Sequence, residues 1–257
     1  MPPLKRILAS ALIGITVVVL LLDAARAELR IYSGGAVKFG LEEAATVYGK
    51  KTGTKIDLQF MPMGPLMKAL AEGIAADLVV LVDDRMKEAA ASGKVESGTI
   101  TDVGVVPIGV AVHESAPLPD ISTPEAFKNT LLAAKSIVYI DPARGTSGAH
   151  FAKVLDQLGI AEAVKAKTTL GSGGYVVEPV GRGEVELGVH QITEILPVKG
   201  VKLVGPLPAP LQKETLYQGA VLTASQRKDE AKAFLAFLRT PEINAMFKAK
   251  GFVDRSN

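Results

Sequence analysis

The chain has 257 residues, with 29 basic and 27 acidic side chains, three histidines, no cysteine and no tryptophan. The lack of cysteine excludes thiol catalysis, zinc–thiolate sites and a lipid-anchored cysteine, and the scarcity of aromatic residues argues against a carbohydrate-stacking surface. His113, His150 and His190 are widely spaced, so we expect neither a protein-bound metal cation nor another cofactor.

The first 27 residues have the pattern of an export signal. Lys5 and Arg6 precede an apolar or small run over residues 7–22, and Ala25-Arg26-Ala27 places small residues at both positions that a signal peptidase reads. The run is 16 residues long, shorter than the roughly 20 residues that span a bilayer. We therefore predict a signal peptide over residues 1–27 and a periplasmic protein, with a retained membrane anchor as the alternative.

Removal of this segment changes the charge balance. Residues 28–257 hold 26 basic and 26 acidic side chains, so their formal charge is zero. A neutral chain gives no indication of nucleic acid or a membrane surface as a partner. A chain of this length also buries enough apolar surface to fold without disulfides.

Short β-like runs alternate with amphipathic helical stretches from residue 29 onward. The spacing predicts strands over residues 29–32, 55–60 and 77–82, and helices over residues 37–51, 65–72 and 85–92. Asp83 and Asp84 precede the third helix, and we expect this pair to cap it. The alternation is typical of α/β folds, in which helices flank the sheets.

Two apolar runs, over residues 105–113 and 216–223, are long enough to cross between two lobes. Between them lies a second α/β block, over residues 122–210, and after them come two helices, over residues 227–239 and 241–250. The pattern favours two lobes, with the chain crossing twice and the C-terminal helices returning to the first lobe.

The segment over residues 136–159 combines a buried strand, a turn opened by Asp141-Pro142, a loop of small residues, and a helix that ends at Gly159. Unpaired backbone N–H groups and a partial positive charge at the start of a helix favour an anion. The Ser147 hydroxyl lies at this helix start as well. The segment therefore predicts an anion-binding loop.

Six motifs in order along residues 28–257 resemble those of the periplasmic molybdate-binding proteins of ABC importers and their relatives. They are Ser33-Gly34-Gly35-Ala36, Gly64-Pro65, residues 72–78, Asp141-Pro142 with Thr146-Ser147-Gly148, residues 181–188 and residues 204–208. The resemblance implies a two-lobed type II periplasmic-binding-protein fold of the α/β class, with a mixed sheet flanked by helices in each lobe. It places lobe I at residues 28–108 and 218–257 and lobe II at residues 109–217, in a monomer.

The resemblance also implies where a ligand is held, because molybdate binders use serine and tyrosine hydroxyls and backbone amides. The ligand-binding positions implied for this chain are Ser33, Gly34, Gly35, Ala36, Met63, Gly64, Ser147, Gly173 and Gln191. Three of the family's hydroxyl donors are replaced here, by Ala36, Met63 and Gln191. The fold therefore matches the family better than its usual ligand does.

Charged and polar side chains near these positions are candidates to replace the missing hydroxyls. Arg144 lies in the anion loop, where its planar guanidinium suits a carboxylate. Lys38, Ser172, Tyr175 and His190 lie near other pocket positions. These residues favour an anion with two or three carboxylates. As the alternative, Arg144 is equally compatible with a solvated surface charge, and the pattern around Lys38 favours a solvated surface charge over a ligand contact.

Two further motifs carry less weight. Gly171-Ser-Gly-Gly174 lacks the Gly-Lys-Ser/Thr ending of a nucleotide-binding loop, so we interpret it as the entry to a helix between the lobes. Ser147 and His150 share a helix face, but no nucleophile-elbow sequence surrounds the serine, which disfavours a nucleophilic pair.

Two functions remain open at this point. The favoured hypothesis is capture of a small anion, either a molybdate-like oxyanion or an organic polycarboxylate, for delivery to an ABC permease of the inner membrane. The alternative is an enzyme, because aconitate isomerase resembles the molybdate binders. In that case His190 is the candidate base for a 1,3-proton shift, while Arg144 and Lys38 hold carboxylates.

Overall fold

A computed structural model of the protein describes residues 28–254. The predicted signal peptide, residues 1–27, lies outside the described residues. Within residues 28–254 no helix combines the length and the apolar character that crossing a bilayer requires.

Strands and helices alternate along most of the described chain. The strands are β1 (Leu29–Ser33), β2 (Ile56–Phe60), β3 (Leu78–Val82), β4 (Thr101–His113), β5 (Ile137–Ile140), β6 (Thr168–Gly171), β7 (Leu187–Gln191), β8 (Val201–Pro206) and β9 (Glu214–Val221). The helices are α1 (Lys38–Thr52), α2 (Met63–Glu72), α3 (Asp83–Ala91), α4 (Pro124–Ala133), α5 (Thr146–Gln157), α6 (Ala161–Lys165), α7 (Glu178–Gly181), α8 (Ile192–Ile195), α9 (Lys228–Leu238) and α10 (Pro241–Ala249).

The strands follow one path, β2-β1-β3-β9-β4-β7-β5-β6, with β8 added on β4. Strand β1 is parallel to β2 and β3, and β5 is parallel to β6 and β7, whereas β4 and β9 run antiparallel to their neighbours. The α/β fold with mixed sheets is therefore confirmed. The two parallel blocks form the centres of the two lobes.

Strand β4 belongs to both lobes. Its first part, residues 101–107, pairs with β9, and its second part, residues 108–113, pairs with β7 and β8. Strand β9 pairs only with β3 and with the first part of β4, among the described residues. The chain therefore returns to the first lobe before β9, through an irregular segment. In this segment the Gln212 side chain accepts a hydrogen bond from the Ile108 N–H and donates one to the Ile108 carbonyl. The lobe boundaries at 108/109 and 217/218 remain a prediction.

Each lobe has its own apolar core. In the first lobe Leu41, Met86 and Phe234 are fully buried from three helices against the sheet. In the second lobe Phe127 and Phe151 are fully buried on one face, and a smaller cluster around Val177 covers the other. Burial of apolar area stabilises a fold by about 25 cal/mol per Å². Each lobe therefore gains stability from its own core, and this core holds in place the strands that lead to the site.

The start of α3 differs from the sequence prediction. The helix begins at Asp83 itself, and its N-cap, Val82, makes no side-chain capping bond. The prediction that Asp83 and Asp84 cap this helix is therefore wrong. Both carboxylates lie in the first turn, where their negative charge interacts favourably with the positive end of the helix dipole. Both also lie within 3.8 Å of the Lys87 Nζ atom.

Candidate functional site

A cavity of about 190 Å³ lies between the two lobes, at the carboxyl ends of β1, β5 and β7. Clefts at this edge of an open α/β sheet are the usual ligand sites, since the loops and helix starts of several strands meet there. The lining residues of this cleft are Gly34, Gly35, Ala36, Lys38, Phe60, Met61, Pro62, Met63, Ile140, Gly145, Thr146, Ser147, Gly174, Tyr175, His190, Gln191, Glu194 and Tyr217.

Three helix starts face the cleft. They are the 3-10 turn Gly35–Val37 after β1, the first turn of α2 and the first turn of α5. The N-cap residues of α2 and α5, Pro62 and Gly145, make no side-chain capping bond. At α5 the first-turn N–H groups therefore remain available to an anion, as the sequence predicts for the loop before this helix. At α2, by contrast, the Gly64 N–H already donates to the Arg144 carbonyl, and Pro65 has no N–H.

Gly148 fixes the position of α5 against β5. A Cβ atom at this residue would overlap the carbonyl oxygen of Ile140. Only glycine therefore allows the helix start to lie this close to the strand end. The close approach brings Ser147, which is 2% exposed, to the base of the cleft.

Ser147, His190 and Glu194 form a buried hydrogen-bonded cluster in the cleft wall. The Ser147 Oγ atom lies 3.0 Å from His190 Nδ1, and His190 Nε2 lies 3.2 Å from the Gly174 carbonyl oxygen and 3.3 Å from Glu194 Oε2. The histidine and glutamate side chains are 2% and 9% exposed. Because Nε2 faces two acceptors, it carries a proton, which it donates to the Gly174 carbonyl, and the Glu194 carboxylate lies beside it as an ion-pair partner.

The surroundings of His190 favour its charged form. Burial alone would lower the pKa of this imidazole, but the Glu194 carboxylate and the Gly174 carbonyl act in the opposite direction, and the pKa is raised above its ordinary value. The histidine that contacts the Ser147 hydroxyl is His190, and not His150 on the same helix. His150 is bonded elsewhere, with its Nε2 atom 2.8 Å from the Leu211 carbonyl oxygen.

Two tyrosines in the cleft keep their protons at neutral pH. Burial raises the pKa of Tyr175 to about 12, and the carboxylates of Glu42, Glu194 and Glu178 add to this effect. Burial and the Glu194 carboxylate raise the pKa of Tyr217 well above its usual range, against the effect of a hydrogen bond with Thr146. Both phenols can therefore donate hydrogen bonds to an anion.

Lys38 is the one lysine or arginine among the described lining residues. Its Nζ atom lies 5.8 Å from the Phe60 ring centroid and 5.5 Å from the Tyr175 ring centroid, and 3.8 Å from Glu42 Oε1. The aromatic rings hold the ammonium group at the cleft edge. Of the two cationic residues predicted from sequence for ligand binding, Lys38 lines the cavity and Arg144 does not.

Arg144 and its neighbours lie beside the cavity rather than in its lining. The Arg144 Nε atom donates to the Ser172 carbonyl oxygen at 2.6 Å, and the Arg144 carbonyl accepts from the Gly64 N–H at 3.3 Å. A Cβ atom at Gly173 would lie 2.6 Å from Pro62 Cγ. These contacts join the first turn of α2 to two loops of the second lobe and hold the cleft together.

The remaining predicted residues line the cleft or support it. Gly34, Gly35, Ala36 and Met63 line it, whereas the buried Ser33 hydroxyl donates to the Gly34 carbonyl at 3.0 Å. The Gln191 amide, oriented so that both its atoms are satisfied, donates to the Val106 and Pro107 carbonyls and accepts from Thr215 Oγ1. The ligand-binding roles of all these residues remain predictions.

Sequence reasoning missed Glu194, Tyr217, Thr146 and Gly174 as lining residues. Glu194 had a detectable signal, because it is the one carboxylate in the run from Leu187 to Leu196 and lies four residues after His190. Tyr217 had none, since it comes from β9 and reaches the cleft only through the order of the strands.

The lobes, the crossing strand and the cleft together define a two-lobed type II periplasmic-binding-protein fold. The profile of the bacterial extracellular solute-binding protein family matches residues 29–253, and the chain belongs to this family. The resemblance noted from the sequence motifs is thereby confirmed.

Three relatives illustrate the range of the similarity. The chain is 34% identical over 229 residues to an aconitate isomerase of Pseudomonas sp., covering 87% of this chain and 86% of that protein. It is 23% identical to the molybdate-binding protein ModA of Escherichia coli, covering 88% of each chain. The solved periplasmic molybdate-binding protein of Azotobacter vinelandii superposes with a TM-score of 0.77 at 18% identity, covering 89% of this chain and all of that one.

Proposed function

We propose that the protein is an isomerase of the aconitate type, which moves a proton within a small polycarboxylate bound between the two lobes. The observation that carries the proposal is the buried Ser147–His190–Glu194 cluster in the wall of an anion-binding cleft. A carboxylate facing a bound anion weakens binding, so Glu194 is explained better by a proton-transfer site than by a site for capture alone. A proton-transfer site requires such a group.

The rest of the cleft suits the carboxylates of such a substrate. Three helix starts, the Ser147 hydroxyl and two protonated tyrosines supply uncharged donors, and Lys38 supplies a cation. Enclosure between the lobes strengthens each of these interactions, because electrostatic energies rise as water is excluded. The 34% identity to an aconitate isomerase supports the same substrate class.

A second candidate is capture of a small anion for an ABC permease. Membership of the solute-binding family and the similarity to molybdate-binding proteins favour it. The available N–H groups at the start of α5 are donors suited to an oxyanion. Both candidates place the protein in the periplasm after removal of residues 1–27, as a monomer.

The deciding experiment supplies purified residues 28–257 with trans-aconitate and follows formation of the cis isomer by NMR. We expect catalytic turnover, together with a rise in melting temperature with either aconitate isomer or citrate. Molybdate, tungstate and sulfate serve as the comparison set. A strong melting shift with micromolar molybdate and no turnover of either aconitate isomer would contradict the isomerase and leave oxyanion capture as the function.

A further inference from the structure

The cleft lining contains five ionisable side chains that compete for the role of proton acceptor: Lys38, Tyr175, His190, Glu194 and Tyr217. The two tyrosines hold their protons tightly, since burial raises the pKa of both phenols. Lys38 is an ammonium group held between aromatic rings and beside Glu42. The choice therefore falls between His190 and Glu194.

His190 has no ring nitrogen left for a substrate. Its Nδ1 atom contacts the Ser147 hydroxyl, and its Nε2 atom donates to the Gly174 carbonyl and lies at ion-pair distance from the Glu194 carboxylate. With 2% of its side chain exposed, the ring is enclosed by these partners. The histidine can orient its neighbours but is closed to a carbon-bound proton.

Glu194 divides its two oxygen atoms between the cluster and the cavity. Oε2 faces His190, while none of the described residues donates a hydrogen bond to Oε1. Oε1 lies against Gly35, where an added Cβ atom would be only 2.6 Å away. The residue before Glu194, Thr193, anchors α8 because its hydroxyl donates to the Ala36 carbonyl. The free oxygen is thus held beside the helix starts that would bind the substrate carboxylates.

We infer that Glu194 is the catalytic base of this site, and that His190 is a positioning residue which holds the carboxylate. The inference rests on the proposed isomerase function. The Glu194 carboxylate takes a proton from the methylene carbon of the substrate, and the C–H electron pair shifts into the adjacent carbon–carbon bond as the existing double bond opens. The same carboxyl group, whose proton can exchange with water, then protonates the far carbon, so the double bond moves one position with no oxidant or reductant.

The test compares Glu194→Gln with the wild-type protein in deuterium oxide, with trans-aconitate as the probe. General bases contribute typically 10²–10⁴-fold to a rate, so we expect both isomerisation and deuterium incorporation to fall by about 10³-fold. Glutamine keeps the shape of the side chain, so trans-aconitate should still raise the melting temperature of the variant. Glu194→Asp keeps the carboxylate on a shorter side chain and should retain partial activity, which decides the matter if Glu194→Gln fails to fold.

The control variant is His190→Gln, whose amide can still donate a hydrogen bond to Glu194. We expect its kcat to fall by about tenfold, with KM less affected, and His190→Ala to fall further. If Glu194→Gln retains activity while His190→Gln abolishes it, the histidine is the base and the inference is overturned, although the isomerase stands. If the wild-type protein neither isomerises nor deuterates aconitate, the proposed function itself fails and the inference with it.

Discussion

At the scale of single residues, the buried pair of His190 and Glu194 links the stability of the fold to pH. The folded protein raises the pKa of His190, so it binds the imidazole proton more tightly than the unfolded chain does. The resulting stabilisation is fully present below the ordinary histidine pKa of about 6.5. It is lost as pH rises through the higher pKa of the folded state.

We therefore predict that the melting temperature of the wild-type protein falls more steeply between pH 6 and pH 9 than that of His190→Gln. Differential scanning calorimetry over this range measures both slopes. His113→Gln is the control, because His113 lies at the end of β4, where its ring contacts Ser115, and is absent from the cleft lining. Equal slopes for wild type and His190→Gln would mean that the pair does not carry the pH dependence.

The sequence predicts part of the cleft lining. The six motifs and their neighbours lead to Ser147, Lys38, Tyr175 and His190, which all line the cleft. Arg144 was expected there because of its loop, but its guanidinium bonds the Ser172 carbonyl instead. Glu194 was missed because a carboxylate is usually expected to face solvent. Its burial beside His190, at the end of the preceding strand, became visible only in the structure, although its position four residues after His190 was a local signal.

At the scale of elements, the contact between α5 and the end of β5 shapes the anion loop. Alanine at Gly148 would gain about 1 kcal/mol of helix propensity, but its methyl group would overlap the Ile140 carbonyl oxygen, which cannot move without disturbing the strand. Steric overlap of this kind costs typically 1–3 kcal/mol, and a backbone atom gives way less readily than a side chain.

We predict that Gly148→Ala lowers the free energy of unfolding by about 2 kcal/mol and weakens binding of trans-aconitate. Urea denaturation and ligand-induced melting shifts measure the two effects. Gly98→Ala is the matched control, because a Cβ atom there meets nothing within 4 Å; its stability should stay within about 0.5 kcal/mol of wild type. A Gly148→Ala variant as stable as Gly98→Ala would show that α5 can move away from β5.

The positions of the helices and strands follow well from the sequence, because hydrophobic periodicity and helix-ending glycines are local signals. Gly53, with φ of 73°, ends α1 at the predicted residue. The predicted crossing strand over residues 216–223 is in fact β9, which pairs within the first lobe. Apolar character predicts a buried strand but not its partners, since pairing depends on residues more than 100 positions away.

At the scale of the whole molecule, the two lobes touch each other across the cleft at Gly173 and Pro62. Gly173, with φ of 141°, passes directly against Pro62 of the first lobe. We predict that Gly173→Ala weakens binding of trans-aconitate by about tenfold, or about 1.4 kcal/mol, because the added methyl group keeps the lobes apart. Isothermal titration calorimetry measures the affinity, and small-angle X-ray scattering measures the ligand-induced compaction.

The matched control for this variant is Gly183→Ala. Gly183 also has a positive φ, of 72°, but a Cβ atom there meets nothing within 4 Å. It should therefore introduce strain at a positive-φ position without a contact across the cleft, and leave ligand affinity unchanged. If both variants bind trans-aconitate equally, the contact between Gly173 and Pro62 does not limit closure.

Strand β4 has a further consequence for how the protein comes apart. Its 13 residues form one continuous strand that belongs to the ladders of both lobes. Fraying of either lobe removes hydrogen-bond partners from the same strand and so exposes the neighbouring core. We therefore expect the two lobes to unfold as a single cooperative unit, although each has its own hydrophobic core. Loss of one lobe alone would leave half of the β4 ladder without partners, which disfavours denaturation of the lobes one at a time.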